Sequence, residues 1–306
     1  MSSAAVDGAR LRAAKSDAGP GRIVWIASYP KSGNTWMRVF IEHLVSGGGE
    51  VDLNRFAHAG EMASSRRLFD RVSGIRASDL TRGEVKSFRP EVYRALSRRA
   101  ASRVFLKTHD AHDDALFPAD ATHGAIHIVR NPLDVAVSYA HHVSATPDFD
   151  PIITRMCSPR NAMATRPDRL GRHLIVHTGD WSGHASGWSR DHPFPVVTLR
   201  YEDLLRDPIA SFTRAARLID AQADAGDVRR AVEHSSFERL RAFELEHGFL
   251  ERGQRSRAFF RSGRSGMWQE HLSDGQIARL VAAHGAVMRR FGYLDAGGVP
   301  VDPAAT

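Results

Sequence analysis

The 306-residue chain carries 42 Lys and Arg against 35 Asp and Glu, a formal charge of +7, with 42% hydrophobic and 25% charged residues. That is the balance of a soluble globular protein, either one large α/β domain or two small ones, and its basic excess suits an anionic ligand. The single cysteine, Cys157, excludes an intrachain disulfide and a cysteine-based metal site and favours a reducing compartment, and no apolar run approaches membrane-spanning length.

Residues 1–22, rich in Ala, Ser, Gly and Asp and lacking an apolar core, read as a disordered lead-in and not as a secretory signal. Ile23 to Ala27 is a short β-branched apolar run, the pattern of a buried strand. Tyr29-Pro30 breaks it, Lys31-Ser32-Gly33-Asn34-Thr35 forms a tight polar turn, and from Trp36 the apolar Met37, Phe40, Ile41 and Leu44 recur at helical spacing. Strand, compact turn with one lysine, and helix start make a phosphate cradle, because the free N–H groups and positive dipole end of the first helical turn face the turn. The plainer alternative is an ordinary connection with a surface lysine. A Walker-type nucleotide loop is absent, since Lys31 precedes its glycine. Only four basic residues are lysines, Lys15, Lys31, Lys86 and Lys107.

Gly47-Gly48-Gly49 marks a loop, and residues 50–100 read as interrupted helical pieces, one of them starting at Arg89-Pro90. Met62, Phe69, Phe88 and Tyr93 suit core packing better than an acceptor pocket. Val104 to Leu106 predicts a second strand, running into Lys107-Thr108-His109 at its carboxyl end, where functional groups gather in open α/β sheets. The run His109 to Asp114 also invites a metal reading, disfavoured by the lack of cysteine and of an H-E-x-x-H frame. Ala125 to Val129 predicts a third strand leading into Arg130-Asn131-Pro132-Leu133-Asp134-Val135-Ala136-Val137-Ser138-Tyr139. Pro132 suits a first helical turn, and Arg130 with Ser138 two turns on can hold one phosphate.

Residues 145–185, polar and proline-interrupted, predict a long irregular segment of lid or binding-loop character, in which His173, His177 and His184 read as ordinary histidines. A helix around Gly187-Trp188 and a fourth strand, Pro195 to Leu199, precede Tyr201-Glu202-Asp203-Leu204-Leu205-Arg206-Asp207-Pro208. Helices follow at Ile209 to Ala221 and Asp224 to His234, then Ser235-Ser236-Phe237 and a stretch with Arg252, Arg255 and Arg257 that reads as mobile. Phe260-Arg261-Ser262-Gly263-Arg264-Ser265-Gly266-Met267-Trp268 is a basic loop in which Gly263 permits close backbone approach and Arg261 offers a bidentate fork. A terminal helix spans about Asp274 to Arg290, and the tail from Ala296 reads as disordered.

Five of these blocks, in order, resemble the cytosolic-type sulfotransferases that use 3′-phosphoadenosine-5′-phosphosulfate (PAPS). Y-P-K-S-G-N-T-W resembles the family's 5′-phosphosulfate loop, with Asn34 where Thr is usual, and K-T-H resembles the segment holding its general base. R-N-P-L-D-V-A-V-S-Y resembles the 3′-phosphate motif, and Y-E-D-L-L-R-D-P with S-S-F the adenine-side segments. R-S-G-R-S-G-M-W resembles R-K-G-x-x-G-D-W, with Ser262 replacing lysine and Met267 aspartate.

The resemblance implies an α/β fold, a single domain over 23–295 with a mostly parallel central sheet flanked by helices, related in plan to P-loop nucleotide kinases. It implies sulfuryl transfer from PAPS to a hydroxyl of a small-molecule acceptor, leaving 3′-phosphoadenosine-5′-phosphate (PAP), in the cytoplasm, with no metal, nucleic acid or membrane partner. By the same resemblance His109 is the base, Lys31 and Lys107 are catalytic, and Lys31, Ser32, Gly33, Asn34 and Thr35 surround the 5′ end. Arg130, Ser138, Arg261 and Gly263 fall to the 3′-phosphate and Trp36, Tyr201 and Phe237 to the adenine, with Ser236, Phe260 and Ser262 as further cofactor-binding positions. The alternatives are an ATP-dependent small-molecule kinase and a non-enzymatic polyanion-binding protein. Gln269 to Ala278 lacks the family's usual dimer motif, so oligomeric state is left open.

Overall fold

The computed structural model describes residues 21–47, 51–165 and 171–304. The expected lead-in, apart from its last two residues, lies outside them, as do Gly48 and Gly49 of the expected glycine loop. Six strands are described: β1 (Ile23–Ser28), β2 (Val104–Thr108), β3 (Thr122–Val129), β4 (Ala162–Met163), β5 (Val176–His177) and β6 (Val196–Arg200). Four form one sheet in the order β2-β1-β3-β6, every neighbouring pair parallel. β4 and β5 make a small antiparallel ribbon.

The helices are α1 (Asn34–Ser46), α2 (Arg66–Ser73), α3 (Arg82–Arg99), α4 (Pro132–Val143), α5 (Asp150–Met156), α6 (Trp181–Ser189), α7 (Tyr201–Arg206), α8 (Pro208–Ile219), α9 (Ala225–His234), α10 (Phe237–His247), α11 (Trp268–His271) and α12 (Asp274–Arg290). None among the described residues is long and apolar enough to cross a membrane.

Successive strand side chains alternate between faces, and the sheet is covered on both. Val24, Ile26, Phe105, Ile126 and Ile128 pack with Phe40 and Ile41 of α1 and Phe212 of α8. Ile23, Trp25, Ala27, Leu106 and Ala125 pack with Phe69 of α2 and Tyr93 of α3. A parallel sheet buried on both faces needs apolar residues at consecutive positions, which is what Ile23 to Ala27 supplies. Because Ile26 is in register with both Lys107 and Ile126, and Ile128 with Leu199, the four strands end along one edge. The residues after those ends are Tyr29, His109, Arg130 and Tyr201, so the register alone gathers four of the sequence blocks.

Four expectations need correction. Pro90 lies inside α3, whose start is fixed instead by a capping box in which Thr81 and Glu84 satisfy each other's backbone N–H groups. Residues 145–185 are not continuously irregular: α5, the β4–β5 ribbon and the start of α6 fall there, with Ile152, Ile153 and Met156 of α5 buried. The tail is ordered through 304, since Val301 N–H donates to the Tyr293 carbonyl and Asp302 accepts from the Ser265 hydroxyl. Of the four residues weighed for an acceptor pocket, Phe69 and Tyr93 are core, Phe88 is exposed, and Met62 lines the cavity described next.

Candidate active site

A cavity of about 1640 Å³ opens at the carboxyl edge of the sheet, and most of the predicted site residues line it. Its floor is the β1–α1 turn. There Gly33 has φ 106°, and a Cβ at that position would stand 2.7 Å from the Tyr201 ring, so only glycine fits. Lys31 is also left-handed, with φ 69°, a costly conformation for a side-chain-bearing residue and one that concentrates at functional sites. The first N–H groups of α1 lack intrahelical partners and face this turn.

Lys31 Nζ lies 4.0 Å from the centroid of the Phe259 ring. Burial, then the positive charges of Lys107 and Arg130, push its ammonium down to about 7. Asn34 borders the cavity, but its side-chain amide is turned back to the strand, donating to the Ile26 carbonyl at 2.9 Å and the Ser28 hydroxyl at 3.2 Å. It therefore ties α1 to β1 and does not offer its side-chain N–H to the cavity. Ser32 is fully buried, its hydroxyl unpartnered, and stands outside the cavity wall. Ser236 likewise stands outside the wall, as the N-terminal cap position of α10.

His109 Nδ1 lies 2.7 Å from the Ser28 carbonyl oxygen. A carbonyl only accepts, so Nδ1 carries the proton and Nε2 is the free acceptor of a ring that borders the cavity. Burial, reinforced by Lys107, pushes its pKa down to about 3, so the imidazole is neutral at neutral pH. The turn holding His109 is locked from below. Asp110, buried, receives Arg89 Nη2 at 2.7 Å and the His177 N–H at 2.9 Å, tying β2 to α3 and β5.

Lys107 leads to a group that sequence reasoning missed. Its Nζ donates to Glu251 Oε2 at 3.1 Å, and Arg38 Nη1 donates to Glu251 Oε1 at 2.6 Å. Thr35 Oγ1 lies 3.5 Å from the same carboxylate. Burial alone would raise the Glu251 pKa, but Lys107 and Arg38 hold it well below the usual carboxylate range. Arg38 and Glu42 are buried on a helix most of whose other residues are buried too, and each finds a specific partner: Arg38 Nε donates to the Ala59 carbonyl, and Glu42 accepts from the backbone of 57–59. Two charges set among the apolar positions of α1 are the signal that the sequence offers.

Arg130 is buried at the far side of the turn. Nη1 donates to the Lys31 carbonyl at 3.3 Å and Nη2 to the Arg264 carbonyl at 3.0 Å, and the guanidinium lies 4.2 Å from the centroid of the Tyr201 ring. Its Nε is buried without a hydrogen-bond partner. Asp134, also unforeseen, accepts from the Gly266 and Trp268 N–H groups and so fixes the 260s loop against α4. Gly263 packs on Phe237, where a Cβ would come within 2.5 Å of the ring. Trp36, Ser138, Phe260, Arg261 and Ser262 complete this wall, and Trp36 meets Tyr201 edge-on at 5.9 Å.

Away from this cavity, His112, Asp114 and His192 bring possible metal-ligand atoms within 4.8 Å of one another. Arg190 already donates to both Asp114 oxygens at 2.7 Å, and His109 is not part of the group.

A family model described as "Sulfotransferase domain" matches residues 22–292. Sulfotransferase 1B1 of Mus musculus is 27% identical over 275 residues, covering 87% of this chain and 82% of that protein. Flavonol 3-sulfotransferase of Flaveria bidentis is 22% identical, covering 84% and 78%. Among solved structures, mouse sulfotransferase SULT7A1 complexed with PAP superimposes with a TM-score of 0.56 at 18% identity, over 92% of this chain and 88% of that one. Retinol dehydratase in complex with androsterone and inactive cofactor PAP gives 0.60 at 18%, over 89% and 82%.

Proposed function

The chain belongs to the sulfotransferase domain family, and from that premise we propose that it moves a sulfuryl group from PAPS to a hydroxyl of a small-molecule acceptor by in-line displacement, with His109 as general base. The observation that carries this reading is the hydrogen bond from His109 Nδ1 to the Ser28 carbonyl, which leaves Nε2 free beside Lys31 and Lys107 in one cavity.

The residues present fit the donor. A guanidinium with a buried, unpartnered Nε suits a phosphate oxygen, and the Gly33 turn together with the first-turn N–H groups of α1 offers a second anion cradle. Arg130, Ser138, Arg261 and Gly263 would hold the 3′-phosphate, Trp36, Tyr201 and Phe237 the adenine, and the Lys31–Thr35 turn with Lys107 the 5′ end. When bound, PAPS supplies the activated sulfuryl group.

His109 Nε2 accepts the proton of the attacking hydroxyl, and the Ser28 carbonyl steadies the imidazolium that results. Lys31 sets its ammonium, in the protonated fraction, against negative charge gathering on the departing bridge oxygen. Lys107 holds the transferring oxygens. Fixed cations and N–H groups aimed at developing charge supply most of the rate in such displacements. Asn34 acts one step back, as the brace between α1 and β1.

Calorimetric titration with PAP, with ADP alongside, tests the reading. PAP should bind in preference by at least about tenfold, since the 3′-phosphate meets Arg130. Equal affinity would move the assignment to a kinase, and binding of neither would leave a polyanion-binding protein.

A further inference from the structure

The donor groups occupy only part of the cavity wall. The same cavity is bordered by Arg66, Arg67 and Arg71 of α2 and by Arg172 from the segment that follows β4. These arginines converge because two distant stretches are laced together: Leu174 N–H donates to the Ser64 carbonyl at 2.7 Å, Arg66 N–H to the Arg172 carbonyl at 3.0 Å, and Ser65 bridges His173.

Opposing charge there is thin. Glu61 lies 3.9 Å from both Arg67 and Arg71, a long contact shared between two exposed guanidinium groups and a half-buried carboxylate, and therefore a weak one. Asp70 spends one carboxylate oxygen on the Ala77 N–H at 2.8 Å. Against the four guanidinium groups these two acids leave the wall net positive. Local stability does not explain the placement either, since Arg66 and Arg67 stand in the first turn of α2, where no acidic residue is present and cations oppose the helix dipole.

We propose that this wall recognises an acidic group on the acceptor, carried at a distance from the reacting hydroxyl. The inference rests on the sulfotransferase reading and adds the acceptor's charge to it. Met62 is bridged in parallel to Lys107, and Arg66 stands four positions further along the chain, at most about 13 Å away. The acceptor accordingly carries both groups on one molecule, its hydroxyl at His109 and Lys107 and its acid among the arginines, joined by a short spacer. Met62, Tyr139 and Met163, also on the cavity wall, give its middle apolar cover.

The test is calorimetric binding of ω-(4-hydroxyphenyl)alkanoic acids of graded chain length, and of their methyl esters, to the PAP-loaded protein. At low salt the free acid should bind at least about tenfold tighter than its ester at the best length, and the advantage should shrink as salt rises. Combining Arg67→Gln, Arg71→Gln and Arg172→Gln, all exposed and safe for folding, should erase the advantage without changing PAP affinity. Glu61→Gln should enlarge it. Equal binding of acid and ester at every length, or an advantage that survives the triple variant, overturns the inference. Failure of PAP itself to bind would instead sink the sulfotransferase reading, so the two failures are distinct.

Discussion

Lys107 Nζ lies 3.1 Å from one oxygen of Glu251, and the other oxygen of that carboxylate meets the buried Arg38 guanidinium at 2.6 Å. Glu251 thus holds an anion against a lysine that the proposed mechanism assigns to the anionic donor. Two negative groups cannot share Lys107 without cost. Glu251→Gln should therefore tighten PAP binding, by roughly tenfold at low salt, because a neutral amide no longer repels the nucleotide. Titration calorimetry decides; weaker binding would mean that the carboxylate aligns Lys107 for the donor.

His109→Ala removes the free Nε2 without touching the nucleotide walls. Turnover should fall by about 10²- to 10⁴-fold, the usual range for a general base, while the PAP dissociation constant stays within about twofold. A variant that retains activity would remove the base assignment.

The pH profile should be one-sided near neutrality. With its pKa pushed down to about 3, His109 is in the neutral, proton-accepting form from pH 5 upward, so no acid limb is expected there. Lys31, at about 7, loses its positive charge as pH rises through that value. The kcat/KM should hold from pH 5 to 6.5 and then decline. Lys31→Arg, which stays charged throughout, should flatten the decline; an unchanged limb would assign it to another group.

Arg130→Ala should weaken PAP by roughly 10- to 100-fold, corresponding to about 1.5–3 kcal/mol for a charged hydrogen-bonded contact, and should affect ADP much less. Parallel losses for both nucleotides would mean that Arg130 only clamps the Lys31 and Arg264 carbonyls together.

Arg89 and Asp110 form a buried ion pair at 2.7 Å, and Asp110 immediately follows His109. Arg89→Met leaves that carboxylate buried without its cation, so unfolding free energy should drop by about 3–5 kcal/mol. Chemical denaturation measures it, and a loss below about 1 kcal/mol would show that the other donors to Asp110 suffice.

What the sequence disclosed, and what it withheld, follows from how far apart the partners lie. The strands and the turns behind Ile23, Lys107, Arg130 and Tyr201 were legible because each combines an apolar run with an adjoining polar signature. Arg38 and Glu251 were not, since 213 residues separate them and Glu251 sits in a stretch that reads only as basic and mobile. Pro90 was misplaced because the proline outweighed the Thr81–Glu84 signal, although T-R-G-E is a readable capping box. The place of Asn34 in the loop suggests a ligand role, while its side-chain amide donates to the Ile26 carbonyl and the Ser28 hydroxyl, partners that the sequence pattern does not reveal. The tail looked disordered because its partners, Tyr293 and Ser265, belong to other segments.

Of the chain's five tryptophans, Trp25, Trp181 and Trp188 are wholly enclosed and Trp268 nearly so, whereas Trp36 borders the cavity with its indole edge-on to Tyr201. The other four indoles do not line the cavity, and Trp36 is the one that an adenine held as proposed would meet. The molecule therefore carries its own optical reporter: a change in intrinsic emission on adding nucleotide tracks occupancy directly, without label, acceptor or turnover.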